Sequence, residues 1–221
     1  MKNIKTVIFD LDGTLFRTET VDIAAFNKAL RLNGLQQRSD VEILDCIGLT
    51  MQETSERLGI RDENVKSRFE KDVLRFELEE IEQNGLMYEG AADLVMYLKA
   101  KGFTLCVCSN GSKEYVYAVL NKFELTEYFD AIWAQTDGYN KSRAVACLAG
   151  QYGRDGFIMV GDRDSDVNAG REHGGITIGM LHGFGANEPF KADYTAGSIK
   201  ELKQVIELIR SRGPIFVKEN E

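Results

Sequence analysis

Short runs of mostly apolar residues alternate along the chain with stretches in which apolar residues recur every three or four positions. The apolar runs span residues 4–9, 103–108, 131–134, 157–160 and 175–178. Such continuous runs are typical of strands that are buried on both faces of a parallel sheet. The stretches with helical spacing include residues 91–100, 112–122, 141–151 and 198–209. Strands alternating with helices predict an α/β fold with a doubly wound parallel sheet and right-handed crossovers.

The segment after the first predicted strand breaks this alternation, because residues 19–84 contain no convincing strand. Apolar residues recur there at helical spacing, in a background dense with Glu, Lys and Arg. We predict an inserted bundle of about four helices, so that residues 1–16 and 88–221 form the core and residues 17–87 form the insert. The alternative is that these helices pack on the sheet as part of one domain.

The charge balance argues against polyanionic partners. The chain has 221 residues, with 27 Lys and Arg against 35 Asp and Glu, and a net charge of −8. Such a chain is poorly suited to nucleic acid or an anionic membrane, although a metal ion can supply local positive charge for a small phosphate ester. No apolar run approaches the roughly 20 residues that span a bilayer, and no signal peptide is recognised. The four cysteines have no metal-binding spacing, so we expect reduced thiols in a cytoplasmic protein.

Two carboxylates follow the first predicted strand, in the sequence Asp10-Leu11-Asp12-Gly13-Thr14. Ligands of an open parallel sheet bind beyond the carboxyl ends of its strands, so this pair lies where a substrate is expected. Gly13 permits a tight turn. The two carboxylates can divide the chemistry: one faces a metal ion and a phosphorus atom, and the other stays near a leaving-group oxygen.

A second acidic group, containing Asp162 and Asp166, follows the strand predicted at residues 157–160. If a helix begins there, a separation of four residues places both carboxylates on one helix face. Asp164 is the better candidate for an ordinary helix N-cap. Carboxylates that gather from two strand ends repel one another unless a divalent cation joins them. Hard oxygen ligands favour Mg²⁺ as that cation.

Two other strand ends carry groups that suit a phosphate. Ser109-Asn110-Gly111-Ser112 offers hydroxyls and backbone N–H groups at the start of a helix. Lys141 begins the next predicted helix, and its ammonium can neutralise a phosphoryl oxygen. Each feature alone would be an ordinary cap or surface charge. Their shared position after strands of one sheet favours a single site.

These segments, marked by Asp10, Ser109, Lys141 and Asp162, resemble in order the four motifs of the haloacid dehalogenase superfamily. The helical insertion resembles the C1-type cap of that superfamily, and within the superfamily the chain is similar to phosphoglycolate phosphatase-like hydrolases. The resemblance implies a Rossmann-like core and a mobile cap. It also implies Mg²⁺-dependent hydrolysis of a small phosphate monoester, such as phosphoglycolate, a sugar phosphate or a nucleotide, through an aspartyl-phosphate intermediate.

The resemblance implies roles for individual residues as well. Asp10 matches the nucleophile, and Asp12 matches the general acid and base, with its backbone carbonyl on the metal. Ser109 and Asn110 match the phosphate-binding turn, and Lys141 matches the lysine that stabilises charge. The implied metal site comprises Asp10, Asp12, Asp162 and Asp166.

We expect the substrate to contact Thr14, Arg17, Asn110 and Gly111. Arg17 is a candidate for a second anionic group, such as the carboxylate of phosphoglycolate, and the alternative is a solvated hinge residue. The expected partner is a small phosphorylated metabolite, with neither nucleic acid nor membrane involved. We expect a monomer or a weak homodimer.

Two alternative functions stay open. A phosphomutase of the β-phosphoglucomutase type is expected to have an Arg in the cap and a His soon after the first motif. Residues 47–51 contain no Arg, and no His precedes His173. A receiver-type phosphoacceptor module shares the acidic site and the lysine, but usually has adjacent acids and no helical insertion. Asp12 argues against dehalogenase and phosphonatase chemistry, whose enzymes in this superfamily lack the second carboxylate.

Overall fold

Six parallel strands form one sheet in the computed structural model, which describes residues 4–135 and 140–212. The strands are β1 (Thr6–Phe9), β2 (Thr104–Cys108), β3 (Ala131–Trp133), β4 (Phe157–Gly161), β5 (Ile176–Met180) and β6 (Tyr194–Ala196). Their order across the sheet is β3-β2-β1-β4-β5-β6. The chain therefore reverses its winding direction at β1, and the ends of β2 and β4 flank the end of β1, which is where an open α/β sheet binds ligands.

Helices cover both faces of this sheet. Those that follow the insert are α5 (Ala91–Ala100), α6 (Lys113–Lys122), α7 (Lys141–Tyr152), α8 (Asp164–Glu172) and α9 (Ile199–Arg212). Successive residues of β1 point to opposite faces: Val7 and Phe9 join the cluster that includes α5, α6 and α9, and Ile8 joins the cluster that includes α7 and α8. Burial on both faces explains why the strands are continuous apolar runs, and it confirms the predicted doubly wound α/β fold.

The sequence predicts five of the six strands and misses β6. This edge strand has only three residues, and its middle residue, Thr195, is exposed. A strand this short, with an exposed residue at its centre, produces neither a continuous apolar run nor a clear alternation of apolar and polar residues. The last residues of the predicted core, 213–221, lie outside the described residues.

The predicted insert is a group of four helices between β1 and α5. They are α1 (Glu19–Leu32), α2 (Asp40–Leu44), α3 (Met51–Arg57) and α4 (Glu63–Asn84). Capping boxes begin two of them: Ser39 with Glu42 at α2, and Thr50 with Glu53 at α3. The four helices enclose a hydrophobic cluster of their own, which contains residues such as Phe26.

The chain leaves the sheet and returns to it through one short antiparallel crossing. Phe16 and Met87 form a bridge. Next to it, the Arg17 N–H donates to the Leu86 carbonyl at 2.9 Å, and the Tyr88 N–H donates to the Leu15 carbonyl at 3.0 Å. This crossing lies at the predicted boundaries of the insert, residues 17 and 87. Among the helices within the described ranges, none is long and apolar enough to cross a membrane.

Candidate active site

Asp10 lies directly beyond the buried strand β1, and only 2% of its surface is exposed. Its N–H donates to the Val160 carbonyl of β4 at 2.8 Å, so the sheet pairing continues through this residue and fixes its backbone. Gly13 then turns the chain with a φ of 70°, and a Cβ at this position would lie 2.6 Å from Asp162 Oδ2. The turn therefore requires glycine both for its conformation and for the close approach of the second acidic segment.

Three buried carboxylates meet at the carboxyl edge of the sheet. One oxygen from each of Asp10, Asp162 and Asp166 lies within 4.8 Å of the others. The Lys141 ammonium donates to Asp10 Oδ1 and to Asp166 Oδ1, both at 2.7 Å. Lys141 is itself buried, so these four side chains, which come from three separate segments, form one desolvated charge cluster.

The cluster has the donor set that a small divalent cation requires. Three carboxylates face one ammonium, which leaves an excess of negative charge in a buried site. Asp162 Oδ1 is buried and has no hydrogen-bond partner, whereas Asp162 Oδ2 accepts from the Phe184 N–H at 2.6 Å. Oxygen ligands of this kind suit Mg²⁺. Asp10, Asp162 and Asp166 are therefore the side chains that could hold the ion.

Burial dominates the electrostatics of this cluster. Burial raises the pKa of Asp10 well above its ordinary value, Lys141 opposes this effect, and the other carboxyl groups add to it. Burial, with Asp166 next in importance, raises the pKa of Asp162 to about 7. Burial by itself would lower the pKa of Lys141, but Asp10 and Asp166 outweigh it and raise that pKa above its ordinary value. Lys141 is thus a cation, and one cation does not balance the cluster.

The second acidic segment differs in detail from the prediction. Helix α8 begins at Asp164 and its N-cap is Arg163, so Asp162 precedes the helix and Asp164 is not the cap. Asp166, the third helical residue, accepts from the Arg163 N–H at 3.0 Å through Oδ2. The expected stacking of Asp162 and Asp166 on one helix face is therefore wrong. The two carboxylates still converge, because β4 places one and the first turn of α8 places the other.

Asp12 does not belong to this group of three carboxylates and instead accepts hydrogen bonds from three hydroxyl donors. Tyr115 and Thr18 donate to Asp12 Oδ1 at 2.6 and 2.8 Å, and Ser109 donates to Oδ2 at 3.2 Å. These donors come from α6, from the residue before α1 and from the turn after β2. They fix the orientation of the carboxylate. The sequence predicts Ser109 as a site residue, but it does not predict the contacts of Tyr115 and Thr18 with Asp12. The only signal for them was that a buried hydroxyl needs a partner.

The predicted phosphate turn follows β2 and is closely tied to its surroundings. The Gly111 N–H donates to Ser109 Oγ at 3.0 Å, and Ser112 Oγ caps α6 by accepting from the Tyr115 N–H at 3.2 Å. The Asn110 side-chain amide donates to the Gly48 carbonyl of the insert at 3.0 Å. Asn110 thus connects the sheet edge with the helices above it.

A cavity of about 320 Å³ lies between this turn and the insert. The core contributes Asp12 and residues of the turn after β2 and of α6, and the insert contributes residues of α1, α3, α4 and the segment 46–49. Asp12 lines the cavity and the three clustered carboxylates do not, so the cavity is a natural place for the part of a substrate beyond its phosphate.

Two of the predicted substrate-binding residues, Arg17 and Thr14, do not line this cavity. The Arg17 side chain pairs with Glu19 at 2.9 Å and borders a separate depression beside Tyr88 and Phe184, not the cavity at Asp12. Thr14 is fully buried, and its hydroxyl has no hydrogen-bond partner. The structure therefore does not bring Arg17 together with Asp12 and Asn110.

Comparison with known proteins agrees with this geometry. Pyrophosphatase PpaX of Halalkalibacterium halodurans is 28% identical over 214 residues, which cover 92% of this chain and 97% of that protein. A phosphoglycolate phosphatase of Vibrio parahaemolyticus is 24% identical over 221 residues, with coverage of 93% and 97%. A crystal structure of a predicted phosphoglycolate phosphatase from Haemophilus somnus has the same fold, with a TM-score of 0.83 at 22% identity and coverage of 93% and 99%.

The match to a family model covers all four motif segments. The model of the haloacid dehalogenase-like hydrolases matches residues 7–180. That range includes the acidic turn after β1, the turn after β2, Lys141 and the acidic segment after β4. The resemblance predicted from these motifs is confirmed, and the chain belongs to the haloacid dehalogenase-like hydrolases.

Proposed function

We propose that the protein is a Mg²⁺-dependent phosphatase that hydrolyses a small phosphate monoester through an aspartyl-phosphate on Asp10. The observation that carries this proposal is the different surroundings of two neighbouring carboxylates. Asp10 lies in the cluster with Lys141, Asp162 and Asp166, whereas Asp12 faces the cavity. Two carboxyl groups with separate environments can serve as nucleophile and as proton carrier in one site.

In the first step, a carboxylate oxygen of Asp10 attacks the phosphorus atom, and the bond from phosphorus to the ester oxygen breaks. Asp12, protonated at this stage, gives its proton to the departing alkoxide, which leaves as an alcohol into the cavity. Lys141 stays beside Asp10 and stabilises negative charge on the phosphoryl oxygens. The turn from Ser109 to Gly111 positions the phosphoryl group.

In the second step, Asp12 accepts a proton from a water molecule as that water attacks the phosphorus of the aspartyl-phosphate. The bond from phosphorus to Asp10 breaks, inorganic phosphate leaves, and Asp12 is again protonated for the next cycle. Because Asp12 acts first as an acid and then as a base, its carboxyl group must be held within reach of both the leaving group and the attacking water. The three hydrogen bonds from hydroxyl groups hold Asp12 in this position.

When bound, Mg²⁺ would supply positive charge that neutralises the transferring phosphoryl group. Asp10, Asp162 and Asp166 would hold the ion, together with the backbone carbonyl of Asp12 that the family resemblance implies. The excess negative charge and the unpartnered Asp162 Oδ1 support this assignment. The side chain of Asp12 is left for proton transfer.

The relatives named above act on pyrophosphate or on phosphoglycolate according to their names, and both are small phosphorylated compounds. They support a phosphatase over the two alternatives. The helical insert over the site argues against a receiver-type module, and the absence of an Arg in residues 47–51 argues against a phosphomutase.

Turnover of p-nitrophenyl phosphate with and without Mg²⁺ tests the proposal. We expect activity that EDTA removes and Mg²⁺ restores, and Asp10→Asn is expected to lower it at least about a thousandfold, because the nucleophile is lost. The matched control is Asp155→Asn, an exposed aspartate just before β4 at the opposite edge of the sheet. Normal turnover by Asp10→Asn would refute the assignment of the nucleophile.

A further inference from the structure

The cavity beside Asp12 is lined by an unusual number of acids. Asp22 of α1 and Glu70 and Glu77 of α4 join Asp12 around it. Among the lining residues, all of which lie within the described ranges, Lys71 is the one cationic side chain, and it is exposed. The part of the site that receives the leaving group is therefore strongly acidic.

Asp22 is the most deeply buried of the three acids with which the insert lines the cavity. Only 7% of its surface is exposed, and its Oδ1 has no hydrogen-bond partner. It lies one helical turn after Thr18, whose hydroxyl donates to Asp12, so both side chains lie on the same face of α1. A buried carboxyl oxygen without a hydrogen-bond partner is costly to the folded protein and is an indication of a missing ligand.

Glu77 approaches the same cavity from α4. Glu70, Leu74 and Glu77 follow one another at helical spacing and all line the cavity, so this face of α4 is directed at it. Burial, followed by Glu77 and Asp12, raises the pKa of Asp22 well above its ordinary value. Burial, followed by Asp12, also raises the pKa of Glu77 to about 8. These carboxyl groups thus oppose one another's ionisation in the absence of a cation.

The acidic lining of the cavity disfavours the binding of an anionic leaving group. A carboxylate placed in the cavity would add a further negative charge beside Asp12, Asp22 and Glu77. A hydroxyl group could donate one hydrogen bond to Asp22 but would leave the charge unbalanced. An ammonium group both donates hydrogen bonds and compensates the charge, so it allows neighbouring carboxyl groups to ionise.

We propose that the leaving group of the substrate carries a basic amine and that its ammonium binds in the cavity at Asp22 and Glu77. The substrates are thus phosphate esters of amino alcohols or amino sugars. This inference rests on the proposed phosphatase function and names the substrate class of the same site. It separates this chain from relatives named for phosphoglycolate, whose leaving group carries a carboxylate.

Three two-carbon phosphates that differ at one end test the inference: 2-aminoethyl phosphate, 2-hydroxyethyl phosphate and phosphoglycolate. We expect kcat/KM for the amine to exceed that for the hydroxyl compound by about tenfold or more, because a charge-assisted pair replaces a neutral hydrogen bond, and phosphoglycolate to be the poorest. Glucosamine 6-phosphate against glucose 6-phosphate repeats the comparison with a larger leaving group.

Asp22→Asn is expected to reduce the ratio of kcat/KM for the amine and hydroxyl compounds to near one. Asp40→Asn removes the same charge from an exposed position of the insert and should leave the ratio as it is in the wild type. Glu77→Gln is a second variant at the cavity, and a thermal melt checks that each variant is folded. An unchanged ratio in both folded cavity variants would overturn the assignment of these residues.

The outcomes separate this inference from the proposed function. Mg²⁺-dependent turnover of p-nitrophenyl phosphate, combined with equal or better turnover of 2-hydroxyethyl phosphate or phosphoglycolate than of the amine, overturns the inference and leaves the phosphatase in place. Absence of turnover for p-nitrophenyl phosphate and for all the esters overturns both.

Discussion

The Tyr115 hydroxyl donates a 2.6 Å hydrogen bond to Asp12 Oδ1, which joins the first turn of α6 to the acidic turn after β1. Both side chains are buried. A carboxylate that gives and takes a proton within one reaction cycle must keep its position while its charge changes. In the proposed mechanism, Tyr115 is therefore a positioning residue for Asp12.

Tyr115→Phe keeps the ring and removes this donor. We expect kcat to fall by about tenfold or more with little change in KM, because a hydrogen bond to a charged group contributes on the order of 1.5–3 kcal/mol. Steady-state kinetics with p-nitrophenyl phosphate measures the effect. Tyr117→Phe, at a partly exposed position of the same helix, is the control. A rise in KM at constant kcat would contradict the positioning role.

Lys141→Met is expected to destabilise the fold as well as abolish activity. Lys141 is the cation between Asp10 and Asp166, and its loss leaves buried carboxyl groups without compensation. Removing one partner of a buried ion pair costs about 3–5 kcal/mol. Urea unfolding measures the loss, and we expect Mg²⁺ to restore part of it, since the ion supplies the missing charge. The exposed Lys200→Met is the control, and equal stability of both variants would contradict the prediction.

Mg²⁺ is expected to stabilise the wild-type protein against unfolding. At a concentration one hundred times its dissociation constant, a ligand that binds only the folded state adds about 2.7 kcal/mol. Asp162→Asn removes a carboxylate whose Oδ1 has no partner, so this variant should lose most of the Mg²⁺-dependent increase in melting temperature. Asp155→Asn should retain it. An increase of the same size in Asp162→Asn would show that the ion binds elsewhere.

The acidic cavity predicts a pH dependence of stability. Burial, then Asp12, raises the pKa of Glu77 to about 8, whereas an unfolded chain has a Glu pKa of about 4.3. The folded state binds this proton more tightly than the unfolded chain does. The stability that the protonated Glu77 contributes is therefore complete below the pKa of the unfolded chain and is lost as the pH rises through 8.

Glu77→Gln replaces the carboxyl group with an amide that stays neutral at every pH. We measure the change in the free energy of unfolding from wild type to variant, and expect this change to be about 1–2 kcal/mol more stabilising at pH 8 than at pH 5. The full pKa shift would predict more, but Glu77 is partly exposed and water screens it. Urea unfolding at the two pH values measures the difference. Glu79→Gln, on the exposed face of α4, is the control. A difference between Glu77→Gln and the wild type that does not vary with pH would contradict this explanation.

The sequence alone predicts the sheet and the acidic cluster because each signal is local. Asp10 and Asp162 directly follow apolar runs, and parallel strands bring such positions to one edge. The partners of Asp12 and the lining of the cavity depend instead on how helices pack. Tyr115 lies on a helix beyond the phosphate turn, and Asp22 and Glu77 lie on two helices of the insert far apart in the chain. No spacing in the sequence brings these residues together.

Two side chains of the core hold the insert above the site, and both donate to its main chain: Asn110 to the Gly48 carbonyl and Arg163 to the Ile47 carbonyl. A main-chain carbonyl is present whatever side chain stands at the position. These two hydrogen bonds therefore do not depend on the side chains at positions 47 and 48. Neighbouring residues that line the cavity can be replaced without loss of the contact between core and insert. Substitutions in the cavity lining, whether they arise in evolution or by engineering, can therefore change the substrate while the carboxylates and the lysine at the sheet edge stay the same.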